Sequence, residues 1–237
     1  IITILNTMIS MNNLNILFVG DSGSGKTSLV NALMKEYYGD ISYSDDILII
    51  NSLKEQGIHY YRTDVKTFCQ TRCSIPNKKK IVVLDDIDNI NEQSQQVFRN
   101  CIDKYSNNVH FISSCSNVQK VIDSLQSRQI IIKMKPLSSI YLNNILQDVK
   151  NRENISMDAM AEKFVLELAS GSVRILLNYL EKFKILNEHV TQELVNQVCT
   201  NISFSTFDEY TSFILKSDLS EGVSILYELF DLCFNIM

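Results

Sequence analysis

The stretch ILFVGDSGSGKTSLV, from Ile16 to Val30, decides the fold of this 237-residue chain. Its first apolar residues predict a short buried strand, the glycine-rich segment predicts a tight loop, and residues 27–38 have the apolar spacing of a helix. The loop fits the pattern GxxxxGK(S/T), in which glycines let backbone N–H groups turn towards phosphates at a helix N-terminus. We therefore predict a nucleoside triphosphate site on a strand–loop–helix unit.

The predicted nucleotide-binding residues are those of the loop and the start of its helix: Gly20, Asp21, Ser22, Gly23, Ser24, Gly25, Lys26, Thr27 and Ser28. Lys26 has the length to reach the β and γ phosphates, and the hydroxyl of Thr27 can ligate Mg²⁺. The pattern alone leaves the class of protein open between a small enzyme or switch, such as a nucleotide kinase or GTPase, and an ATP-driven motor. A GTPase is expected to carry Asn-Lys-x-Asp, and the nearest match, residues 77–80, lacks the Asp.

Apolar strand segments alternate with helical segments as far as Pro136. This alternation predicts an α/β domain with a parallel sheet covered by helices on both faces. The clearest strands are IVVL at 81–84, VHFISSC at 109–115 and QIIIKM at 129–134. Beyond Pro136 the periodicity is helical, which predicts a small all-helical module.

Two carboxylates close the strand IVVL. We predict that this strand lies beside the strand of Ile16, so that Asp85 holds a water of the Mg²⁺ shell and Asp86 faces the attacking water. Arg128 and Arg174 are further candidates, because an arginine can neutralise charge that develops on a γ phosphate. An exposed arginine on a helix is more often a solvated charge, so the residues by themselves leave both interpretations open.

Composition narrows the class of protein. Hydrophobic residues make up 45% and charged residues 21%, as in a globular chain, and a net charge of -5 argues against a protein that coats nucleic acid unaided. Six cysteines without a CxxC pair favour reduced intracellular thiols, and no apolar run is long enough for a membrane span. The opening IITILNTMIS has neither the features of a secretory signal nor an initiator Met, so we expect the chain to begin inside a longer protein.

Four stretches together resemble the AAA+ ATPases, and more narrowly the small subunits of the replication factor C clamp loader. They are LNILFVGDSGSGKTSLVNALMKEYYG, NSLKEQGIHYYRTDVKTF, KKKIVVLDDIDNINEQSQQVFRNCIDKYSNNVHFI and VIDSLQSR. The resemblance runs from about Thr3 to about Thr200. It implies an AAA+ nucleotide-binding α/β domain at 1–136, a helical lid at 137–200 and part of a helical collar at 201–237, with much of the collar expected beyond the chain.

The resemblance also implies roles for single residues. Lys26 and Thr27 match the Walker A pair and Asp85 matches the Mg²⁺-associated Walker B aspartate. Arg128 matches the arginine finger that reaches the ATP site of a neighbouring subunit. Arg174 matches the sensor 2 arginine, which acts on ATP bound to its own subunit. The implied function is an ATPase that, in a hetero-pentamer with other clamp-loader subunits, loads a sliding clamp onto primer-template DNA.

DNA contact and location follow from the same resemblance. Arg62, Lys66 and Arg99 lie on helices that match the surface lining the central channel, where cations contact phosphates. The implied location is the nucleus in a cellular eukaryote or a cytoplasmic replication site for a virus, away from membranes.

The chain departs from the family at several positions. Asp86 stands where the family has the catalytic Glu, Ser116 stands at sensor 1 where Asn is usual, Gln129 replaces a Cys, and Asp21 with Ser22 replaces a Pro. Asp86 is one methylene shorter than Glu, so we expect firm ATP binding and slow hydrolysis. The alternative is a weakly or non-hydrolysing subunit that supplies Arg128 to its neighbour.

Overall fold

A computed structural model describes residues 1–39, 44–51, 58–199, 204–215 and 219–231. Its strands are β1 (Ile16–Val19), β2 (Ile47–Asn51), β3 (Lys80–Asp85), β4 (Val109–Cys115) and β5 (Ile130–Lys133). Its helices are α1 (Ile2–Ser10), α2 (Lys26–Tyr38), α3 (Ile58–Gln70), α4 (Glu92–Tyr105), α5 (Asp123–Gln126), α6 (Ser139–Glu153), α7 (Ala159–Ala169), α8 (Val173–Leu186), α9 (Gln192–Val198), α10 (Phe204–Leu215) and α11 (Leu219–Asp231). The chain divides into two compact units, residues 1–136 and 137–237.

The strands of the first unit form one parallel sheet in the order β2-β3-β4-β1-β5. Because the strands are parallel, their carboxyl ends meet at one edge, where ligands bind in open α/β sheets. The predicted α/β fold is therefore confirmed. One detail of the prediction is wrong: β3 is not beside β1, because β4 lies between them and pairs with both.

The burial of β4 agrees with its position inside the sheet. All seven residues of β4 are buried, as expected for a strand with a neighbour on each side and helices on both faces. Alternate residues of the sheet then supply two separate cores. Leu17 packs on one face with Val82 and Leu84, whereas Ile16 and Phe18 pack on the other.

A buried hydrogen-bond network fixes α1 and α2 against β4. The backbone N–H of Leu14 donates to Nδ1 of His110 at 3.2 Å, which leaves Nε2 to donate to Oδ1 of Asn12 at 3.1 Å. The hydroxyl of Tyr37, on α2, donates to the same Asn12 oxygen at 2.8 Å. Burial, together with the charge of Lys79, lowers the pKa of His110 from 6.5 to about 3, so the ring is neutral.

The second unit is helical. The helices α6 to α9 enclose a core of their own that includes Leu146, Val165, Leu176 and Phe183. Gly171 has φ 83° between α7 and α8, a conformation that glycine adopts without steric cost. The predicted boundary between lid and collar at residues 200 and 201 lies outside the described residues, so this division stays a prediction. None of the helices in the described part of the chain is long and apolar enough to cross a membrane.

Candidate functional site

The glycine-rich loop joins the end of β1 to the start of α2. Gly25 has φ 88°, a left-handed conformation that glycine adopts without steric cost. Gly20 is required for a different reason, because a Cβ there would lie 2.8 Å from the carbonyl oxygen of Met134. The loop thus makes a tight turn that leads directly into the N-terminus of α2. The first N–H groups of that helix have no partner within it and can bind an anion.

Lys26 spans this loop. Its side chain is buried, and its Nζ donates to the carbonyl oxygens of Gly20 at 2.6 Å and Asp21 at 3.0 Å. Nζ also lies 3.4 Å from Oγ of Ser116, just after β4. The structure therefore brings the predicted sensor residue to the loop lysine.

Asp85, at the end of β3, also reaches the loop. Its Oδ2 accepts a hydrogen bond from Oγ1 of Thr27 at 3.1 Å, and its Oδ1 accepts one from Oγ of Ser114. The second bond fixes the carboxylate, because Ser114 is itself buried in β4. The contact between Thr27 and Asp85 joins the first turn of α2, which follows β1 and the loop, to the end of β3, although β4 lies between β1 and β3.

This pair fits a magnesium ion. Mg²⁺ prefers oxygen ligands and is usually held by one or two protein groups together with phosphate oxygens and water. Thr27 and Asp85 offer a hydroxyl and a carboxylate oxygen beside the anion-binding loop. Among the described residues no group of three or more His, Cys, Asp or Glu side chains is arranged to hold a metal by itself.

Asp86 follows Asp85 in a left-handed conformation with φ 54°, which turns the chain sharply away from the sheet. Its backbone N–H donates to Oγ of Ser114 at 3.1 Å, so one serine holds both carboxylate-bearing residues. Oδ2 of Asp88 accepts from the N–H groups of Ser116 at 3.1 Å and Asn117 at 2.9 Å. The two segments that carry Asp86 and Ser116 are thereby joined.

Sequence reasoning missed Ser114 and Asp88. Asp88 lies within LDDIDNI, in a stretch that resembles the family, whereas Ser114 lies in FISSC, two residues after that stretch ends. A polar residue inside an otherwise apolar strand was the available signal for Ser114, whereas the partners of Asp88 depend on tertiary structure.

Arg128 lies elsewhere on the first unit, between α5 and β5. Its Nε donates to Oδ1 of Asp103 on α4 at 2.5 Å, and its Nη1 donates to the carbonyl oxygen of Ser124 at 2.5 Å. The arginine pairs with Asp103 and bonds to its own turn, and no described contact joins it to residues 20–28 of the same chain. Arg128 therefore makes no described contact with Lys26 of the same chain.

A basic groove runs between α3 and α4. It has a volume of about 360 Å³, and its lining includes Arg62, Lys66, Lys104 and Tyr105. Two of the three predicted DNA-contacting residues thus share one surface, and Lys104 joins them. Arg99, the third, pairs instead with Asp103 at 3.1 Å.

Arg174 belongs to the second unit, in the first turn of α8. Its side chain is exposed. The helix begins at the cap Ser172, whose side chain accepts from the N–H of Ile175 at 3.4 Å. The role predicted for Arg174 on its own subunit's nucleotide stays a prediction.

Comparison with known proteins gives consistent matches. Residues 16–137 match the family model "ATPase family associated with various cellular activities (AAA)". The chain is 30% identical over 215 residues to the replication factor C small subunit of Methanococcus maripaludis strain S2, which covers 91% of this chain and 68% of that protein. It is also 30% identical over 222 residues to the probable replication factor C subunit 5 of Dictyostelium discoideum, covering 91% of this chain and 63% of that one.

Solved structures resemble the chain in fold. The Thermotoga maritima RuvB Holliday junction branch migration motor matches with a TM-score of 0.64 over 89% of this chain and 72% of its own. The two sequences are 12% identical. At that identity the likeness supports the fold alone.

Proposed function

We propose that this chain binds ATP with Mg²⁺ at residues 20–28, because it belongs to the AAA ATPases. Within them it belongs to the replication factor C small subunits, which are clamp-loader ATPase subunits of DNA replication. The observation that carries this proposal is the hydrogen bond between Thr27 and Asp85 at 3.1 Å. It places the metal-binding hydroxyl of one motif against the carboxylate of the other, at the carboxyl edge of the sheet.

Each residue of the site has a distinct task. The loop N–H groups and the N-terminus of α2 bind the phosphates, and Lys26 exchanges its carbonyl partners for phosphate oxygens. Thr27 would hold Mg²⁺ directly and Asp85 would hold it through a water. The chemistry supplied by a bound ion would be neutralisation of phosphate charge. Ser116, whose Oγ lies 3.4 Å from Nζ of Lys26, contacts the γ phosphate, and Asp86 orients the attacking water.

We propose that hydrolysis at this site is slow. Asp86 is a methylene shorter than the Glu of the family, and its backbone is fixed by Ser114, so the carboxylate cannot advance by moving the chain. A base displaced by roughly 1 Å costs on the order of a hundredfold in rate. The alternative is a subunit that does not hydrolyse ATP and contributes Arg128 to its neighbour.

The proposed assembly is a hetero-pentamer with other clamp-loader subunits that acts on a sliding clamp. Arg128 serves the ATP site of the adjacent subunit, and its lack of contact with its own loop supports this assignment. Arg174 serves the ATP of its own subunit. ATP binding favours the assembly that holds clamp and DNA, and hydrolysis releases them, as in any two-state cycle driven by a ligand.

We propose further that primer-template DNA lies against the groove between α3 and α4. Arg62, Lys66 and Lys104 place three cations along it, which suits a row of backbone phosphates. Arg99 does not line this groove; it pairs with Asp103 on α4 and is proposed as a separate contact with DNA.

Substitution of the loop lysine tests the ATPase proposal. In the assembled clamp loader, Lys26→Ala is expected to abolish ATP binding to this subunit and the part of clamp- and DNA-stimulated turnover that depends on it. Lys35→Ala is the matched control, because Lys35 is an exposed lysine on the same helix. Unchanged ATP binding in Lys26→Ala would refute the site. Phosphate transfer to a small acceptor by the chain alone would refute the clamp-loader proposal in favour of a nucleotide kinase.

Salt dependence tests the DNA proposal. Each phosphate contact contributes about -0.9 to the slope of log affinity against log salt concentration for duplex DNA. The double variant Arg62→Ala/Lys66→Ala is expected to reduce the magnitude of that slope by roughly 2. The control is Arg152→Ala/Lys163→Ala, which removes two exposed cations of the second unit. An unaltered slope in the groove variant would place DNA elsewhere.

A further inference from the structure

The side chain of Arg128 is held by several contacts within its own chain. Nε donates to Asp103 and Nη1 donates to the carbonyl oxygen of Ser124, each at 2.5 Å. Nη1 also lies 3.5 Å from the hydroxyl of Ser127. Among the described residues Nη2 makes no hydrogen bond, so the guanidinium is fixed through two of its nitrogens while the third can serve another molecule.

Asp103 divides its two oxygens between two arginines. Oδ1 accepts from Arg128, and Oδ2 accepts from Nη2 of Arg99 at 3.1 Å. The hydrogen bond from Arg128, with the charges of both arginines, lowers the pKa of Asp103 below 3.8 and keeps it ionised at neutral pH. One carboxylate therefore links the finger to a cation of α4.

The backbone beneath Arg128 is equally constrained. Gln129 is buried, and its Nε2 donates to the carbonyl oxygens of Ile16 at 3.1 Å and Phe111 at 3.0 Å. The same nitrogen lies 3.1 Å from Oγ of Ser113. The residue after Arg128 is thus anchored to β1 and β4, and the remaining freedom lies in the long arginine side chain.

Asp103 removes that freedom. A free arginine side chain loses rotamer entropy when it is ordered. An acceptor that fixes the guanidinium in advance spares this cost when the arginine meets a neighbour's phosphate. The pair is about one-third exposed, so it is accessible to such a partner.

We propose that Asp103 is the positioning residue of the arginine finger: it orients Arg128 through Nε and presents Nη2 to the ATP of the adjacent subunit. This inference rests on the proposed role of Arg128 in that neighbouring site. Asp103 touches neither ATP nor the reacting atoms, and acts only through Arg128.

The test uses the full-length protein assembled with its partner subunits. Asp103→Ala is expected to lower the kcat of clamp- and DNA-stimulated turnover on the order of 10- to 100-fold, with an unchanged KM for ATP. Arg128→Ala is expected to lower kcat about a thousandfold. Asp103→Glu, which keeps the charge, should recover most of the loss, and Asp103→Asn should recover less. Asp148→Ala is the matched control, because it removes an exposed aspartate paired with an arginine four residues away.

Two readouts separate positioning from general destabilisation. Trapping of ADP with aluminium fluoride, a mimic of the transferring phosphate, should weaken in Asp103→Ala while plain ADP binding is retained. In the double variant Asp103→Ala/Arg128→Ala, kcat should equal that of Arg128→Ala alone, because Asp103 has no other route to the reaction. A further loss in the double variant, or a normal kcat and normal trapping in Asp103→Ala, would overturn the proposal.

Arg128→Ala distinguishes the role of Arg128 as an arginine finger from the role of Asp103 in positioning it. A normal kcat in Arg128→Ala would refute the finger itself, and with it the premise of this inference. A strong effect of Arg128→Ala beside normal behaviour of Asp103→Ala would refute only the role of Asp103.

Discussion

Asp86 occupies the position on which the rate of the proposed reaction depends. Its φ of 54° lies in the left-handed region, which aspartate tolerates better than most side chains. The bond from its N–H to Ser114 fixes the backbone, so only the side chain can be adjusted to reach a water. A substitution that lengthens this side chain by one methylene group therefore tests its role.

Asp86→Glu is expected to raise ATP turnover of the assembled loader, by up to about a hundredfold, because the longer carboxylate reaches the attacking water. ATP affinity should change little, since the phosphate contacts are made by residues 20–28. Steady-state turnover and equilibrium ATP binding measure the two effects. Turnover that does not rise would show that the short side chain is not what limits the reaction.

Single residues of the site differ in how far sequence can predict them. Lys26 and Thr27 belong to a pattern of fixed spacing, and Asp85 ends an unmistakable apolar strand, so local sequence is sufficient. Asp103 could not be predicted as a partner of Arg128, because 25 residues separate them and only the packing of α4 against α5 brings them together. The same holds for Ser114 and Asp85.

At the scale of elements, β4 organises the first unit. It lies at the centre of the sheet, supplies Ser114 to the site and places His110 in the network with α1 and α2. The position of β4 between β3 and β1 is also the point at which the predicted strand order is wrong. The apolar run IVVL identifies a buried strand, but nothing in that run specifies which strand pairs with it. Pairing is decided by contacts between distant segments.

The network around His110 predicts acid sensitivity. The folded-state pKa of about 3 lies below the ordinary 6.5, so folding favours the neutral ring. The unfolded chain then binds the proton more readily. The stabilisation is fully present above about pH 6.5 and is lost as pH falls towards 3, with a slope of at most about 1.4 kcal/mol per pH unit.

Urea unfolding across pH 4 to 7 measures this dependence. His110→Gln is expected to flatten the curve of unfolding free energy against pH, even though it also lowers stability at neutral pH. His59→Gln is the control, because His59 is exposed on α3. An identical pH dependence in the wild-type protein and His110→Gln would contradict the buried neutral ring.

At the scale of the whole molecule, the two arginines assigned to ATP lie on different units. Arg128 belongs to the first unit and Arg174 to the second. Alternating strands and helices predict the first unit from sequence alone, and helical periodicity predicts the second. The assignment of one arginine to the chain's own ATP and the other to a neighbour's is a property of assembly, which periodicity does not encode.

The isolated chain distinguishes these assignments. Arg174→Ala is expected to weaken its ATP binding by roughly 10- to 100-fold, because a charge-assisted contact to phosphate contributes about 1.5–3 kcal/mol. Arg128→Ala should leave ATP binding by the isolated chain unchanged and lower turnover only in the assembly. Equilibrium titration with a fluorescent ATP analogue measures the first effect. Weaker binding in isolated Arg128→Ala would contradict action on a neighbour.

The full burial of β4 also sets a time scale for the molecule. A strand paired on both sides and covered on both faces opens to solvent only when the surrounding unit unfolds, so its amide protons should be among the slowest to exchange with deuterium. Ser114, which holds Asp85 and the N–H of Asp86, lies on this strand. The carboxylates at the site are therefore anchored to the part of the unit that fluctuates least.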